Sequence, residues 1–221
     1  APAACGAPAN RDTGPMTQPS PWLGPGPLLL ASTSQTRRAL LEGAGLPVET
    51  EAPEVDERAV EAASAGLPPA DLARRLAEAK VLAVARRRPD RLVLGADQVL
   101  ALDGTVFHKP ADAAAARDQI ARLAGRTHQL HAAFALAHGG ALVAAGVETA
   151  SLTVRPLDER QIAAYVACAG EARVCASVGG YQLEGLGIHL FEAVAGEHST
   201  ILGLPLLPLL AHLRADGWLR F

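Results

Sequence analysis

Lysine is nearly absent from this chain: of 20 basic residues only Lys80 and Lys109 are lysines, and the rest are arginines. Lysine offers a compact point charge where arginine offers a planar fork, so two retained lysines call for an explanation. Cysteine is scarce as well. Cys5, Cys168 and Cys175 are odd in number and lack CxxC spacing, which supports neither a disulfide framework nor a zinc site and points to a reduced, cytoplasmic setting. No apolar run approaches the roughly 20 residues of a membrane span, so no membrane partner is expected. A net charge of −3, with neither a basic block nor an aromatic-basic stripe, argues against nucleic acid as a main partner. The only basic cluster, Arg86-Arg87-Arg88, falls at the end of an expected helix, where cations favour the dipole.

Familiar catalytic signatures are missing too. A Walker A loop needs Ser or Thr after Gly-Lys, but Val81 and Pro110 follow the two lysines. No GxGxxG follows a strand, since Gly185-Leu-Gly187 lacks the third glycine. Gly-x-Ser-x-Gly does not occur, and His128, His131, His138, His189, His198 and His212 are scattered, as core or surface histidines would be. There is no internal repeat and no coiled coil.

What is present suits a single α/β body. The chain has 221 residues, 49% of them hydrophobic, enough for one substantial core or two small lobes around a cleft. Residues 1–27 are Pro, Gly, Ala and polar residues without periodicity. They lack the pattern of a signal peptide and are expected to form a passive, disordered extension, with a start at Met16 left open. From Leu28 onward strands and helices alternate. A strand at 28–31 leads to a helix ending near Gly43 or Gly45, then an acidic loop Pro53-Glu-Val-Asp-Glu57 and a helix over 71–88. An apolar strand at 91–102 runs into Asp103-Gly104, a type I′ hairpin signal. A helix over 111–123 precedes two long strands, 127–137 and 141–154, joined at His138-Gly139-Gly140. A helix at 158–169, a glycine-rich strand region at 176–203 and a last helix opened by Pro205 complete a mixed sheet with flanking helices.

Three features carry chemistry. In Leu28-Leu-Leu-Ala-Ser-Thr-Ser-Gln-Thr-Arg37 a buried strand breaks into a polar loop and a helix N-terminus. Free backbone N–H groups, a positive dipole end, Ser32, Ser34 and Arg37 then converge, as in a phosphate-binding turn. A plain serine cap with solvated arginines is the alternative. Lys80 falls in the row Leu72, Leu76, Lys80, Val84, which puts an ammonium on an apolar helix stripe, where it either snorkels or serves a site. Lys109, just after the hairpin, is either a site residue or ordinary surface. Asp97 lies in the middle of a strand apolar on both faces, and a buried carboxylate is costly unless it meets a cation, a metal or a nearby loop. Gly95, two residues earlier on the same face, is expected to let a ligand approach the backbone.

These residues fall in a familiar order: Leu30-Ala-Ser-Thr-Ser34 with Arg37-Arg38-Ala-Leu-Leu41, Pro53-Glu-Val-Asp-Glu57, Ala77-Glu-Ala-Lys80, Gly95-Ala-Asp-Gln98, His108-Lys-Pro110, Gly180-Tyr-Gln-Leu-Glu-Gly185 and Gly203-Leu-Pro205. From Leu28 to its C-terminus the chain resembles the Maf family of nucleoside triphosphate pyrophosphatases. The resemblance implies an inosine triphosphatase-like α/β architecture with two lobes around a deep cleft. It implies hydrolysis of selected or non-standard nucleoside triphosphates to monophosphate and pyrophosphate with Mg²⁺ or Mn²⁺, in a cytoplasmic protein that is often a homodimer. Carried over by position, it implies Asp97 as acid-base or metal-binding residue and Glu57 as a second acidic site residue and metal ligand. Ser32, Ser34, Arg37, Lys80 and Lys109 become triphosphate contacts, and Gln98 and Glu184 contact the substrate. Gln35 and Thr36 stand where many members have Pro and arginine, which favours Arg37 as the phosphate arginine. Glu184 replaces a common Gln and, with Asp97-Gln98, is closer to the subgroup acting on 7-methyl-GTP than to the one acting on dTTP and UTP. A glutamate only accepts hydrogen bonds, which suits the N1–H and amino edge of guanine, although metal binding by Glu184 is an alternative. Gln182 replaces a common glycine and narrows the pocket. The competing readings are a nucleotide-binding regulator of cell division without turnover and a hydrolase of sugar phosphates or nucleoside diphosphates.

Overall fold

In the computed structural model, which describes residues 20–221, the apolar run at Leu28 forms the first strand, β1 (Leu28–Ala31), buried at all four positions. The chain then turns into α1 (Gln35–Gly43), crosses to β2 (Val48–Thr50), and runs through α2 (Glu57–Ala63) and α3 (Pro69–Ala85) to the central strand β3 (Val93–Leu102). β4 (Thr105–Phe107) returns along β3 through Asp103 and Gly104, whose φ values of 48° and 77° are the paired positive dihedrals of the expected type I′ turn. After α4 (Ala113–Leu123), the long hairpin β5 (Thr127–His138) and β6 (Ala141–Val154) extends the sheet. α5 (Glu159–Ala169), α6 (Glu171–Val174), two 3₁₀ turns at Val178–Gly180 and Leu186–Leu190, β7 (Phe191–Ala195), α7 (His198–Ile201) and α8 (Leu206–Ala215) follow. Among the described residues no helix is long and apolar enough to cross a membrane.

The strands make one seven-stranded mixed sheet in the order β2-β1-β3-β5-β6-β7, with β4 also on β3. β1 is parallel to β2 and β3, and the other pairs are antiparallel. β5 pairs with β3 continuously from Val93 to Ala101, which occupies one edge of β3. The other edge is shared: β1 pairs with Val93–Gly95 and β4 with Leu100–Leu102. Between them, at Ala96–Val99, no strand among the described residues closes the ladder. The sheet is split there, at the end of β1, and Asp97 lies in the split.

Alternation along β3 sends odd and even residues to opposite faces. Val93 and Val99 pack with Leu29, Ala133, Ala135 and α3, while Leu94 and Ala96 pack with Leu28, Leu30, Phe134 and α8. Gly95 has a use other than the one expected. A Cβ there would lie 2.5 Å from the Ala77 carbonyl and 2.8 Å from Val81, so the space belongs to the backbone of α3 and not to a ligand. That close approach brings Lys80, one turn along α3, over Asp97.

Four further expectations change. Residues 1–19 lie outside the described residues, but 20–27 are not a passive extension. Trp22 is buried in the core and stacks on Trp218 at 5.8 Å, Leu23 N–H donates to the Trp218 carbonyl, and Arg220 N–H donates to the Pro21 carbonyl. A partner so far along the chain leaves no local periodicity to read. The acidic loop ends earlier than expected, because Asp56 caps α2 by accepting from Ala59 N–H at 3.1 Å. The 176–203 region has one strand, with 3₁₀ turns and a short helix around it, since its glycines serve turns. Arg87 and Arg88, expected to complement a helix dipole, reach across to Glu51.

Candidate active site

The split in the sheet opens into a cleft of about 660 Å³ lined by the β1–α1 turn, α2, α3, the middle of β3, the loop after β4 and the 176–184 segment. At its centre lies a three-member ion cluster. Lys80 Nζ is 2.9 Å from Glu57 Oε1 and also meets Asp97 Oδ1. Lys80 and Asp97 are each only 7% exposed, so the lysine's head group is turned inward and does not snorkel. The three side chains come from α3, β3 and the first turn of α2, so the cluster exists only when α3 is seated on Gly95. Here the cation partner that a buried carboxylate requires is the retained lysine.

Ser32, Ser34 and Arg37 line the same cleft, and the structure shows how their polar atoms are engaged. Ser32 Oγ accepts from Ser34 N–H at 3.2 Å, and Ser34 Oγ accepts from Arg37 N–H at 3.3 Å, so Ser34 does cap α1. Arg37 ties α1 to β3 and to the turn after α7: Nε donates to the Gly203 carbonyl at 2.8 Å and Nη1 to the Ala96 carbonyl at 2.9 Å. Burial lowers its guanidinium below the ordinary arginine value, while Asp97 and Glu57 pull it back up. Three of its five N–H donors remain for a ligand. Gln98, on the opposite face of β3 from Asp97, has both amide hydrogens engaged, with the carbonyls of Thr200 at 3.0 Å and Ile201 at 2.9 Å. Only its carbonyl oxygen is left for a substrate, so it is mainly a strut between β3 and α7.

Lys109 and Glu184 border the cleft from exposed loops. Among the described residues no ion pair involves Lys109, which leaves its ammonium free for an anionic ligand. Among the other cleft residues, Gln182 lines the pocket where the sequence expects it to narrow, His108 and Tyr181 enter the sequence reading only as motif neighbours of Lys109 and Glu184, and Glu61, one turn after Glu57 on α2 and 3.8 Å from His108, has no sequence signal. Tyr181 Oη lies 2.5 Å from Nε2 of His128, a histidine buried under the cleft floor. Burial lowers His128 to about 4 and pushes the Tyr181 phenol well above its ordinary value. A neutral imidazole thus holds the ring of Tyr181 in place.

The family model for "Maf-like protein" matches residues 27–216. The chain belongs to the Maf family. A nucleoside triphosphate pyrophosphatase of Rhodopseudomonas palustris (strain HaA2) is 52% identical over 200 residues, 90% of this chain and 98% of that protein. One from Nitrobacter winogradskyi is 50% identical, covering 90% of this chain and 97% of its own length. A 7-methyl-GTP pyrophosphatase of Mesorhizobium japonicum is 50% identical over 86% of this chain and 96% of that protein.

A divalent cation is implied by the Maf resemblance, and the donor set can be tested against it. Among the described residues no three His, Cys, Asp or Glu side chains form a ready-made metal cage. Asp97 and Glu57 nevertheless bring two hard oxygen donors to one point, the Lys80 ammonium. Mg²⁺ is commonly bound by one or two carboxylates together with substrate phosphates, so this pair fits a cation that arrives with its nucleotide.

Proposed function

We propose that this Maf protein hydrolyses nucleoside triphosphates to nucleoside monophosphate and pyrophosphate, with the reaction centred on Asp97. The observation that carries the reading is the buried Lys80–Asp97 pair with the exposed Glu57 on the same ammonium, placed in the split of the sheet beside the Ser32–Arg37 turn. A triphosphate brings several negative charges, and the cleft sets three cations against them: Lys80, Arg37 and Lys109. Backbone N–H groups at the start of α1 add partial positive charge at the same end. Asp97 takes a proton from water as its oxygen attacks the α-phosphorus. The bond from that phosphorus to the bridging oxygen breaks, and pyrophosphate leaves with the electron pair. Lys80 and Lys109 offset the charge that grows on the leaving group. Asp97 and Glu57 would hold the divalent cation, Mg²⁺ or Mn²⁺, which when bound supplies further neutralisation of phosphate charge.

Glu184 faces the question of base. Its carboxylate accepts and cannot donate, which matches the donor edge of a guanine, and a relative named for 7-methyl-GTP is half identical to this chain. The test is pyrophosphate release by the full chain with Mg²⁺ over a panel containing 7-methyl-GTP, GTP, dTTP and UTP. Release from a guanine nucleotide ahead of the pyrimidines is expected. Binding without any release would identify a regulator instead, and release of orthophosphate alone would identify a different hydrolase.

A further inference from the structure

α4 supplies none of the charged groups of the cleft, yet it holds both of the exposed loops that do. Gln119 Nε2 donates to the His108 carbonyl at 2.8 Å, one residue before Lys109. Gln119 Oε1 accepts from Gly179 N–H at 3.1 Å, in the segment that leads to Glu184. The two partners are of opposite kind, a carbonyl that only accepts and an amide that only donates, so they dictate which way the side-chain amide faces.

The surroundings reinforce both contacts. Arg122, three residues on, lays its guanidinium over the ring of Phe107 at 4.2 Å from the centroid. Gly180, at φ +74°, backs onto Ala116 and Ile120, where an added Cβ would lie 3.4 Å from each. Other ties reach one loop only: Tyr165 Oη donates to the Gly180 carbonyl at 3.2 Å, and His128 meets Tyr181. Among the described residues Gln119 is the side chain that hydrogen-bonds to both.

We infer that Gln119 is a positioning residue that sets the spacing between Lys109 and Glu184, so that α4 couples the grip on the triphosphate to the choice of base. The inference rests on the function proposed above. With one amide clamping both loops, a nucleotide whose base-to-phosphate span fits engages the two together. When the clamp is removed the loops relax independently, phosphate binding weakens, and ill-fitting bases are penalised less.

Three full-length proteins test this: wild type, Gln119→Ala and Gln119→Glu, each assayed for kcat, KM and thermal midpoint over the same nucleotide panel. For Gln119→Ala, KM for the best substrate is expected to rise about ten-fold, the scale of one or two lost hydrogen bonds. The ratio of kcat/KM between best and worst nucleotides should shrink several-fold, with kcat nearly unchanged. Gln119→Glu keeps an acceptor for Gly179 but turns a second acceptor toward the His108 carbonyl. With only the Gly179 end held the spacing is no longer set, so KM should again rise and the base ratio should again shrink. Wild-type KM and base ratio in Gln119→Ala would overturn the inference, whatever the melting temperature does. So would a Gln119→Glu protein with the wild-type base ratio, since one held loop would then suffice. If wild type binds nucleotides but releases no pyrophosphate, the proposed reaction fails, and the same ratios read as Kd still decide the role of Gln119. If wild type binds no nucleotide, both readings fall together.

Discussion

The two ends of the cleft are built from different material. Asp97 and Lys80 stand on the central strand and on a seventeen-residue helix, and both are buried. Lys109 and Glu184 stand on short irregular segments, and both are exposed. Groups proposed to make and break bonds are held by regular structure, where misplacement of an ångström is expensive. The groups proposed to grip the outer phosphates (Lys109) and to sort bases (Glu184) are on loops, which tolerate variation and can be exchanged without disturbing the core. On this reading damage at the buried end should cost folding and rate, and damage at the exposed end should cost affinity and selectivity.

The strongest challenge to that division is Asp97→Asn. The substitution keeps the shape of the side chain and removes its capacity to take a proton. Turnover is expected to fall by about 10²–10⁴-fold, the usual range for a positioned acid-base group. The fold should survive, because Lys80 retains Glu57 at 2.9 Å. Pyrophosphate release, compared with nucleotide binding by calorimetry, measures the difference. Near-normal release would place the chemistry elsewhere.

Lys80→Ala sharpens the same point, since it should lower stability as well as rate. It leaves the Asp97 carboxylate buried without its cation, and breaking one partner of a buried pair costs about 3–5 kcal/mol. In a chain of this size that corresponds to a drop in thermal midpoint of roughly 6–20 °C. A midpoint within a degree or two of wild type would mean that water or Arg37 already solvates Asp97.

Much of the buried end could be read from residue patterns, because its signals are local. A lysine in the row Leu72, Leu76, Val84, a carboxylate inside an apolar strand, and hydroxyls between a strand and a helix each span fewer than twenty residues. What could not be read depends on register and on distant neighbours. The split in the sheet arises because β1 stops at Gly95 and β4 starts at Leu100 on the same edge of β3, which only pairing reveals. Gly95 marks a close backbone approach, but the identity of the approaching backbone, α3, is a tertiary fact. Arg37 and Gln98 line the cleft, but their bonds to the carbonyls of Gly203, Ala96, Thr200 and Ile201 depend on distant backbone that no local pattern reveals. Trp22 joins the core beside Trp218 and Leu219 from the far end of the chain, and Gln119 joins two loops through partners that have no side-chain signature of their own.

A pH titration tests how firmly the floor of the exposed end is held. The imidazole of an unfolded chain titrates near 6.5, whereas burial lowers His128 to about 4. Between those values the unfolded chain takes up a proton that the folded protein refuses. The contribution of His128 is therefore complete above pH 6.5 and is lost as the pH falls toward 4, up to about 3 kcal/mol over the window. His131, also lowered by burial, adds to the same slope. Glu197 acts in the same direction further down: burial works against its charge, but hydrogen bonds from Ser199 and Thr200 outweigh it, and their stabilisation fades as the carboxylate protonates. Melting temperature measured from pH 7.5 to 4.5 should fall, and His128→Gln should flatten that fall. An unchanged slope in the variant would assign the acid sensitivity to the other groups.

Lys109→Ala should have the smallest effect, and its kind matters more than its size. It removes the same formal charge as Lys80→Ala but from an exposed side chain, so the thermal midpoint should stay within about 2 °C of wild type. KM should rise about ten-fold through loss of one charge-assisted contact to phosphate, with kcat falling less. Because the ammonium lies in water, its attraction for a triphosphate is screened over roughly 8 Å at physiological ionic strength. Raising salt from 0.05 to 0.5 M, as an experimental range of about ten-fold, should narrow the gap between wild type and Lys109→Ala. The gap between wild type and Lys80→Ala should persist, because that charge is shielded from the solvent. If both gaps responded to salt alike, the two lysines would share one environment in the working enzyme, and the loop carrying Lys109 would have to close over the nucleotide and bury it.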